Sequence, residues 1–176
     1  MRGRIVILSG DRGSGKTTTC RKLVEVIRQR GLDCAGVICP ARFDGDRKVG
    51  IDLLDLRSGQ TRPLAEADDR PAALRTRAWR FDEAVMDWGK ECLEAALPCD
   101  VFMVDELGPL ELERGQGWTN AIGSLREGRF DLAVVVIRPE LVDVFRSALN
   151  GMTIPVFIVS SPQSGGECVV SILTLL

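Results

Sequence analysis

The sequence predicts an α/β fold, with a mostly parallel central sheet, helices on both of its faces and one added antiparallel β-hairpin. Three observations predict it. Short apolar runs rich in β-branched residues recur along the chain, as expected of strands buried on both faces. Stretches with helical spacing separate most of these runs, which is what crossovers between parallel strands require. Between the first run and the first helical stretch lies a glycine-punctuated loop at residues 10–17. The chain has 176 residues, of which 45% are hydrophobic. That is enough to bury a substantial core, and 1–176 reads as a single domain.

Residues 4–9 form a short apolar run that stops at Gly10, and they read as the first strand. Residues 16–30 read as a helix, with Leu23, Val24 and Ile27 on one face and Gly31 past its end. Residues 34–39 are a second strand, stopped by Pro40. Residues 49–55 and 61–65 flank an Arg-Ser-Gly-Gln turn and read as a hairpin. Residues 66–78 lack periodicity and read as loop or short strand. A helix is expected over 81–97, ending before Pro98, followed by a third parallel strand at 101–104. A helix at 116–127, a strand at 132–137, a helix at 140–149 and a strand at 155–159 complete the alternation. The tail from 168 to 176 fits strand or helix equally.

The composition excludes several classes of function. Net charge is -2, and acidic and basic residues are interleaved, so the basic footprint of a nucleic-acid-binding protein is missing and no nucleic-acid partner is expected. No run approaches the roughly 20 apolar residues of a membrane span. The first apolar run, 5–8, is too short for the core of a signal peptide. A soluble, cytoplasmic protein is expected, with nothing to contradict a monomer. The six cysteines form no CxxC pair, and there is no histidine. Free thiols packed as small hydrophobes are therefore expected rather than a zinc site, and any mechanism with a histidine base is excluded.

Gly10-Asp11-Arg12-Gly13-Ser14-Gly15-Lys16-Thr17 fits G-x-x-x-x-G-K-[ST] at every constrained position, with a strand before it and a helix after it. That context makes it a phosphate-binding loop. Glycines let backbone N–H groups turn inward against phosphate oxygens, and the helix N-terminus adds further donors and the positive end of its dipole. Lys16 is expected on the β- and γ-phosphates, the Thr17 hydroxyl on Mg²⁺, and Thr18 at the α-phosphate. The expected ligand is thus a nucleoside triphosphate with Mg²⁺.

Residues 101–104 are an apolar strand that ends in Asp105 and Glu106. Such a strand is expected to run beside the first one. Asp105 would then support the metal, and Glu106 would orient and deprotonate an attacking water. An acid directly after the metal-binding aspartate points to hydrolysis by an internal base rather than by a glutamine-positioned water. No Asn-Lys-x-Asp guanine-specificity motif occurs.

Three segments carry a family resemblance: the loop with its helix, 10–23; the Gly-punctuated basic stretch 40–59; and Val104-Asp105-Glu106-Leu107-Gly108-Pro109-Leu110-Glu111-Leu112. Together they resemble the nucleoside-triphosphatase family first described from thermophiles, also called the cancer-related nucleoside-triphosphatase family. The last segment is similar to that family's Asp-Glu-Ile-Gly-x-Met-Glu-Leu signature. The resemblance implies a P-loop NTPase domain of RecA-like type. It also implies slow hydrolysis of several nucleoside triphosphates with Mg²⁺ and little base preference. By position it assigns Lys16 and Thr17 to phosphate and metal, Asp105 to the metal and Glu106 to water, with Glu111 as a second acid. The chain departs from the family at 159–167, where Val-Ser-Ser-Pro-Gln-Ser-Gly-Gly-Glu replaces a Thr-x-Glu-Asn-Arg-like segment, and at Arg138, which stands in a turn that usually reads Thr-Ile-Pro.

Charge developing on a transferred phosphoryl group is often met by an arginine. Arg138, at a strand end, is the first candidate, and Arg42 the second by family position; Arg12 and Arg47 are also placed for it. The aromatics Trp79, Phe81, Trp88 and Trp118 are expected in or at the edge of the core, with Trp79 as an alternative platform for the base. Two other readings stay open. One is a small-molecule kinase with an Arg-rich lid at 70–80; the other is a nucleotide-dependent binding module.

Overall fold

The first apolar run forms β1 (Arg4–Ser9), buried at every position after Arg4. Burial on both faces is what a central parallel strand requires, and the structure, a computed structural model, places β1 between two other strands. It describes residues 3–67 and 79–176. Most of the stretch 66–78 and of the expected lid at 70–80 therefore lies outside the described residues.

The elements follow in order: α1 (Lys16–Gln29), β2 (Cys34–Ile38), β3 (Ala41–Asp44), β4 (Arg47–Asp55), β5 (Thr61–Ala67), β6 (Trp79–Phe81) and α2 (Glu83–Ala95). Then come β7 (Cys99–Val104), α3 (Pro109–Leu112), α4 (Asn120–Glu127) and β8 (Phe130–Val136). A 3₁₀ turn (Pro139–Leu141) leads into α5 (Val142–Ala148), followed by β9 (Val156–Ile158) and α6 (Pro162–Leu173). Among the described residues the strands form one sheet in the order β6-β5-β4-β2-β7-β8-β1-β9, with β3 paired to β4. β2, β7, β8, β1 and β9 are mutually parallel, and β3 to β6 form an antiparallel extension. No helix among the described residues is long and apolar enough to cross a membrane.

Two expectations change here. β7 does not lie beside β1: β8 is inserted between them, pairing with both. The expected hairpin is the middle of a larger antiparallel layer, because 41–44 and 79–81 also pair. Other differences are local. The helix expected from 116 starts at Asn120, because Gly117 (φ +66) and the bond from Gln116 N–H to the Leu110 carbonyl hold a turn before it. The ambiguous tail belongs to α6, which starts six residues earlier, where the Ser161 hydroxyl caps the Ser164 N–H with Pro162 in the first turn.

Each face of the sheet buries its own core. α2, α4 and α5 cover one face through Val85, Leu93, Ala121, Leu125 and Phe145, which meet Ile7, Val37, Phe102 and Val135. α1 and α6 cover the other through Leu23, Ile27, Val169 and Ile172, which meet Val6, Leu8, Met103 and Val134. Alternate residues of one strand thus enter opposite cores, as the pleat dictates. All six cysteines carry free thiols, and Cys20, Cys34, Cys92 and Cys168 are buried.

β2 and β7 approach so closely at Gly36 that a Cβ there would lie 2.1 Å from the Met103 carbonyl oxygen, and Gly36 has φ +105. Both sterics and backbone conformation therefore require glycine. Gly36→Ala is expected to destabilise the fold by roughly 3 kcal/mol, through a misfit backbone and a displaced strand. Urea unfolding measures this, and an unchanged midpoint would contradict the close approach.

Candidate active site

The parallel strands all point their carboxyl ends to one edge of the sheet, where ligands of open α/β folds bind. Backbone bonds fix the segments that leave this edge. The Asp105 N–H donates to the Val37 carbonyl, Leu107 to Val136, Ile137 to Leu8 and Val159 to Ser9, all within 3.1 Å. Three segments, those after β7, β8 and β9, are thus tied to neighbouring strands at this edge.

The loop from Gly10 to Thr17 leaves β1 and enters α1 at Gly15, whose φ of +100 lets the backbone turn into the helix. Gly10 lies so near Val159 that a Cβ would come 2.1 Å from its carbonyl oxygen. Lys16 is 8% exposed, and its Nζ donates to the Gly10 and Asp11 carbonyl oxygens at 2.7 Å each. The loop is therefore wrapped around its own ammonium. Asp11, Arg12 and Gly13 are exposed at the loop crest, Ser14 is partly covered, and Thr18 is exposed in the first turn of α1. The Oγ atoms of Ser9 and Ser14 are buried without a hydrogen-bond partner. Unsatisfied buried hydroxyls usually mark a missing partner, and Ser14 lies within the phosphate-binding loop.

Asp105 follows β7 and is 3% exposed. Burial pushes its carboxyl up to about 6, and the negative charge of Glu106 adds to that effect. The Thr17 hydroxyl, the Cys39 N–H and the Lys16 charge oppose it; the Cys39 N–H donates to Oδ2 at 3.3 Å. The structure thus sets Asp105 opposite Thr17 and within the field of Lys16, although β7 and β1 are not neighbours.

Glu106 and Arg138 form an ion pair. Arg138 Nε donates to Glu106 Oε1 at 2.8 Å, and its Nη2 lies 2.6 Å from the same oxygen. The inserted strand makes this pairing natural: Glu106 leaves β7, Arg138 leaves β8, and the two strands are adjacent. Both side chains are about one-quarter exposed. Glu111, read as a second acid, takes part in backbone order. Its Oε2 accepts from the Gly108 N–H at 2.9 Å and its Oε1 from the Trp118 N–H at 3.3 Å. Burial raises its carboxyl above the usual range, and these bonds offset part of the rise. Glu111 therefore clamps the loop that carries Glu106.

Arg42 is held elsewhere. It lies on β3, 3.6 Å from Asp52 and 3.4 Å from Glu66, both on the antiparallel layer. Phe81 is exposed and Trp118 buried, while the Arg62 guanidinium covers the Trp88 ring at 4.1 Å. Trp79 supports the ammonium of Lys48, which lies 4.9 Å from its ring centroid. Lys48 was not among the residues expected at the site. Burial lowers its pKa, and the charges of Glu106 and Asp105 oppose that change. The basic composition of 42–48 was the available signal.

The buried Asp105 has a consequence for stability. Between its ordinary 3.8 and about 6, the folded chain holds a proton that the unfolded chain has released. Stability of the nucleotide-free and metal-free protein therefore falls as pH rises through this window, and the penalty persists above it. Asp105→Asn is expected to flatten that dependence. At pH 7.5 in a chelator it should raise the melting temperature by about 4 °C or more. Thermal melts from pH 4 to 8 measure both effects, and a variant less stable than the parent at pH 7.5 would contradict the desolvated carboxylate.

The profile of the family described as NTPase matches residues 5–158. The nucleoside-triphosphatase THEP1 of Methanopyrus kandleri is 33% identical over 154 residues, covering 80% of this chain and 83% of that protein. Its counterpart in Ignicoccus hospitalis is 33% identical over 106 residues, 60% of each chain. Two solved structures share the fold. A human cancer-related nucleoside triphosphatase superposes with a TM-score of 0.72 at 24% identity, over 98% of this chain and 96% of the other. THEP1 from Aquifex aeolicus gives 0.69 at 16% identity, over 98% of both. The loop, the Asp105–Glu106 strand end and the profile together place this chain in the NTPase family of P-loop nucleoside triphosphatases.

Proposed function

We propose that this member of the nucleoside-triphosphatase family hydrolyses Mg²⁺ complexes of nucleoside triphosphates to diphosphate and phosphate. In this reading Glu106 acts as general base and the chain discriminates weakly among bases. The observation that carries the reading is the Glu106–Arg138 ion pair, set beside Asp105 at the same sheet edge as the phosphate loop.

The residues fit Mg²⁺. Thr17 and Asp105 offer hard oxygen donors, and Asp105 is a buried carboxylate whose charge a cation would stabilise. Among the described residues no cluster of three or more His, Cys, Asp or Glu side chains is arranged to hold a metal. That fits a metal held by few protein ligands and by substrate phosphates. When bound, the cation neutralises charge on the β- and γ-phosphate oxygens.

The chain's own groups supply the rest. Backbone N–H groups of 10–17 and the Lys16 ammonium hold the phosphates in place. Both Arg138 contacts fall on Glu106 Oε1, which leaves Oε2 to accept a hydrogen bond from a water. As that water's oxygen attacks the γ-phosphorus, Glu106 takes its proton and the bond to the β-phosphate oxygen breaks. Arg138, next to the base, is placed to meet the charge on the transferring group. Weak base discrimination is supported by the segment after β9. The Ser160 and Ser161 N–H groups donate to Ser164 Oγ, and the Ser164 N–H donates to Ser161 Oγ. These hydroxyls are engaged with their own turn.

Purified protein is expected to release phosphate from Mg-ATP, Mg-GTP, Mg-CTP and Mg-UTP without an added acceptor. Turnover that required a nucleoside or sugar acceptor would replace hydrolysis by a kinase reaction. Glu106→Gln should lower kcat by about 10²-fold or more while nucleotide still binds; a full rate would remove Glu106 as the base. Arg138→Ala should lower kcat by at least about 10²-fold with little change in nucleotide Kd, since a charge-stabilising arginine acts mainly in the transition state. An unchanged kcat would take Arg138 out of the site.

A further inference from the structure

Glu106 stands on the short connection between β7 and α3, and its backbone must be fixed before its carboxylate can be aimed. The next residue, Leu107, is fully buried, and its N–H donates to the Val136 carbonyl of β8 at 3.1 Å. Gly108 follows, also buried, and its N–H donates to Glu111 Oε2 at 2.9 Å. At the far end of the Glu106 side chain, Arg138 holds Oε1. One of these three holds comes from a second carboxylate.

Helix capping accounts for half of what Glu111 does. It is the third residue of α3 and reaches back to the residue before the helix, as the acid of a capping box does. Such a cap needs one oxygen. Here the other oxygen accepts from the Trp118 N–H, seven residues further along the chain, at 3.3 Å. The turn before Trp118 passes so close that a Cβ on Gly117 would lie 2.2 Å from Glu111 Oε1. The carboxylate therefore ties the loop before α3 to the turn after it. With four residues, α3 is too short to hold its own ends rigidly.

The two acids border the same glycine. A Cβ on Gly108 would stand 3.7 Å from Glu106 Oε1 and 3.8 Å from Glu111 Oε2. Their oxygens are employed differently. Both oxygens of Glu111 accept backbone N–H groups, whereas both Arg138 contacts with Glu106 fall on Oε1. Like charges so near one another repel, and the two charge-assisted bonds keep Glu111 in place against that repulsion. A carboxylate suits the position because it is acceptor-only; an amide would turn an NH₂ toward one of the two N–H groups.

We propose that Glu111 is a positioning residue for hydrolysis: by joining the Gly108 and Trp118 N–H groups it fixes the loop that aims Glu106 at the attacking water. It acts through the Gly108 backbone and takes no proton itself. The assignment rests on the reading of Glu106 as general base given above. A base displaced by about an ångström loses alignment with its water, and the rate falls steeply. Triphosphate affinity, set by the loop at 10–17 on another strand end, does not depend on this tie.

The test measures kcat with Mg-ATP, the Kd of a non-hydrolysable triphosphate analogue with Mg²⁺, and the melting temperature. The proteins are the parent, Glu111→Ala, Glu111→Gln, Glu106→Gln and the double variant Glu106→Gln/Glu111→Ala. Glu111→Ala should lower kcat by about tenfold or more while the analogue Kd stays within about twofold. Glu111→Gln, which keeps one acceptor oxygen, should lose less. On the Glu106→Gln background, Glu111→Ala should change kcat by less than about twofold, because no base remains to be aimed. An equal loss on both backgrounds would mark a general structural role and overturn the proposal, as would a parental kcat for Glu111→Ala. Should Glu111→Ala fail to fold, Glu111→Gln carries the same comparison, alone and combined with Glu106→Gln. Glu106→Gln by itself judges the base: a full rate there removes both the base and its positioning residue. A slow Glu106→Gln beside a fully active Glu111→Ala keeps the base and overturns the positioning role alone.

Discussion

A carboxylate withdrawn from water needs positive charge or hydrogen-bond donors around it, and Asp105 is that group here. It follows a strand whose last four residues are buried, and has almost no solvent contact itself. Its compensation comes from three groups in two parts of the chain: the Thr17 hydroxyl and Lys16 at the start of α1, and the Cys39 N–H just past β2. These parts are distant in sequence, and the sheet topology is what unites them. The remaining deficit of positive charge at Asp105 is what suits the position to a hard cation.

The insertion of β8 between β1 and β7 decides how the other groups share the edge. It moves the acidic strand away from the phosphate loop by one strand spacing, about 4.8 Å. In the space thus opened it delivers Arg138 beside Glu106. A β7 next to β1 would have left Glu106 nearer the loop lysine. The order observed sets an arginine beside it. The same order places β2 on the far side of β7, and from β2 the chain grows the antiparallel layer that carries Lys48.

Much of this was legible in the sequence, for physical reasons. Parallel strands buried on both faces leave near-continuous apolar runs, so β1, β2, β7 and β8 could be read directly, and the short apolar run of the edge strand β9 was legible too. The phosphate loop is written in glycines and one lysine that have few substitutes. Strand order is not written in any local pattern, because the alternation of runs and helices is the same for several orders; hence β7 was expected beside β1. α3, with four residues, is shorter than the periodicity that would announce it. The role of Glu111 was obscured by its company: an acid near two others reads as chemistry, whereas its carboxylate in fact holds the Gly108 and Trp118 backbones. Arg42 was chosen by family position, and its pairing with Asp52 and Glu66 follows from strand pairings that no local pattern announces.

The Glu111 clamp has a second end. Trp118, whose backbone Glu111 holds, sends its indole N–H to the Met86 carbonyl on α2. That indole sits against Gly89, where an added Cβ would come within 2.6 Å of the ring nitrogen. An unbroken series of close contacts therefore runs from α2 through an indole and a carboxylate to the loop that carries Glu106. A methyl group at Gly89, far along the chain from the phosphate loop, would push on the indole and so on the carboxylate behind Glu106. Tolerance to change in this protein thus follows mechanical linkage along the chain of contacts, and the buried face of α2 is coupled to the loop that carries Glu106.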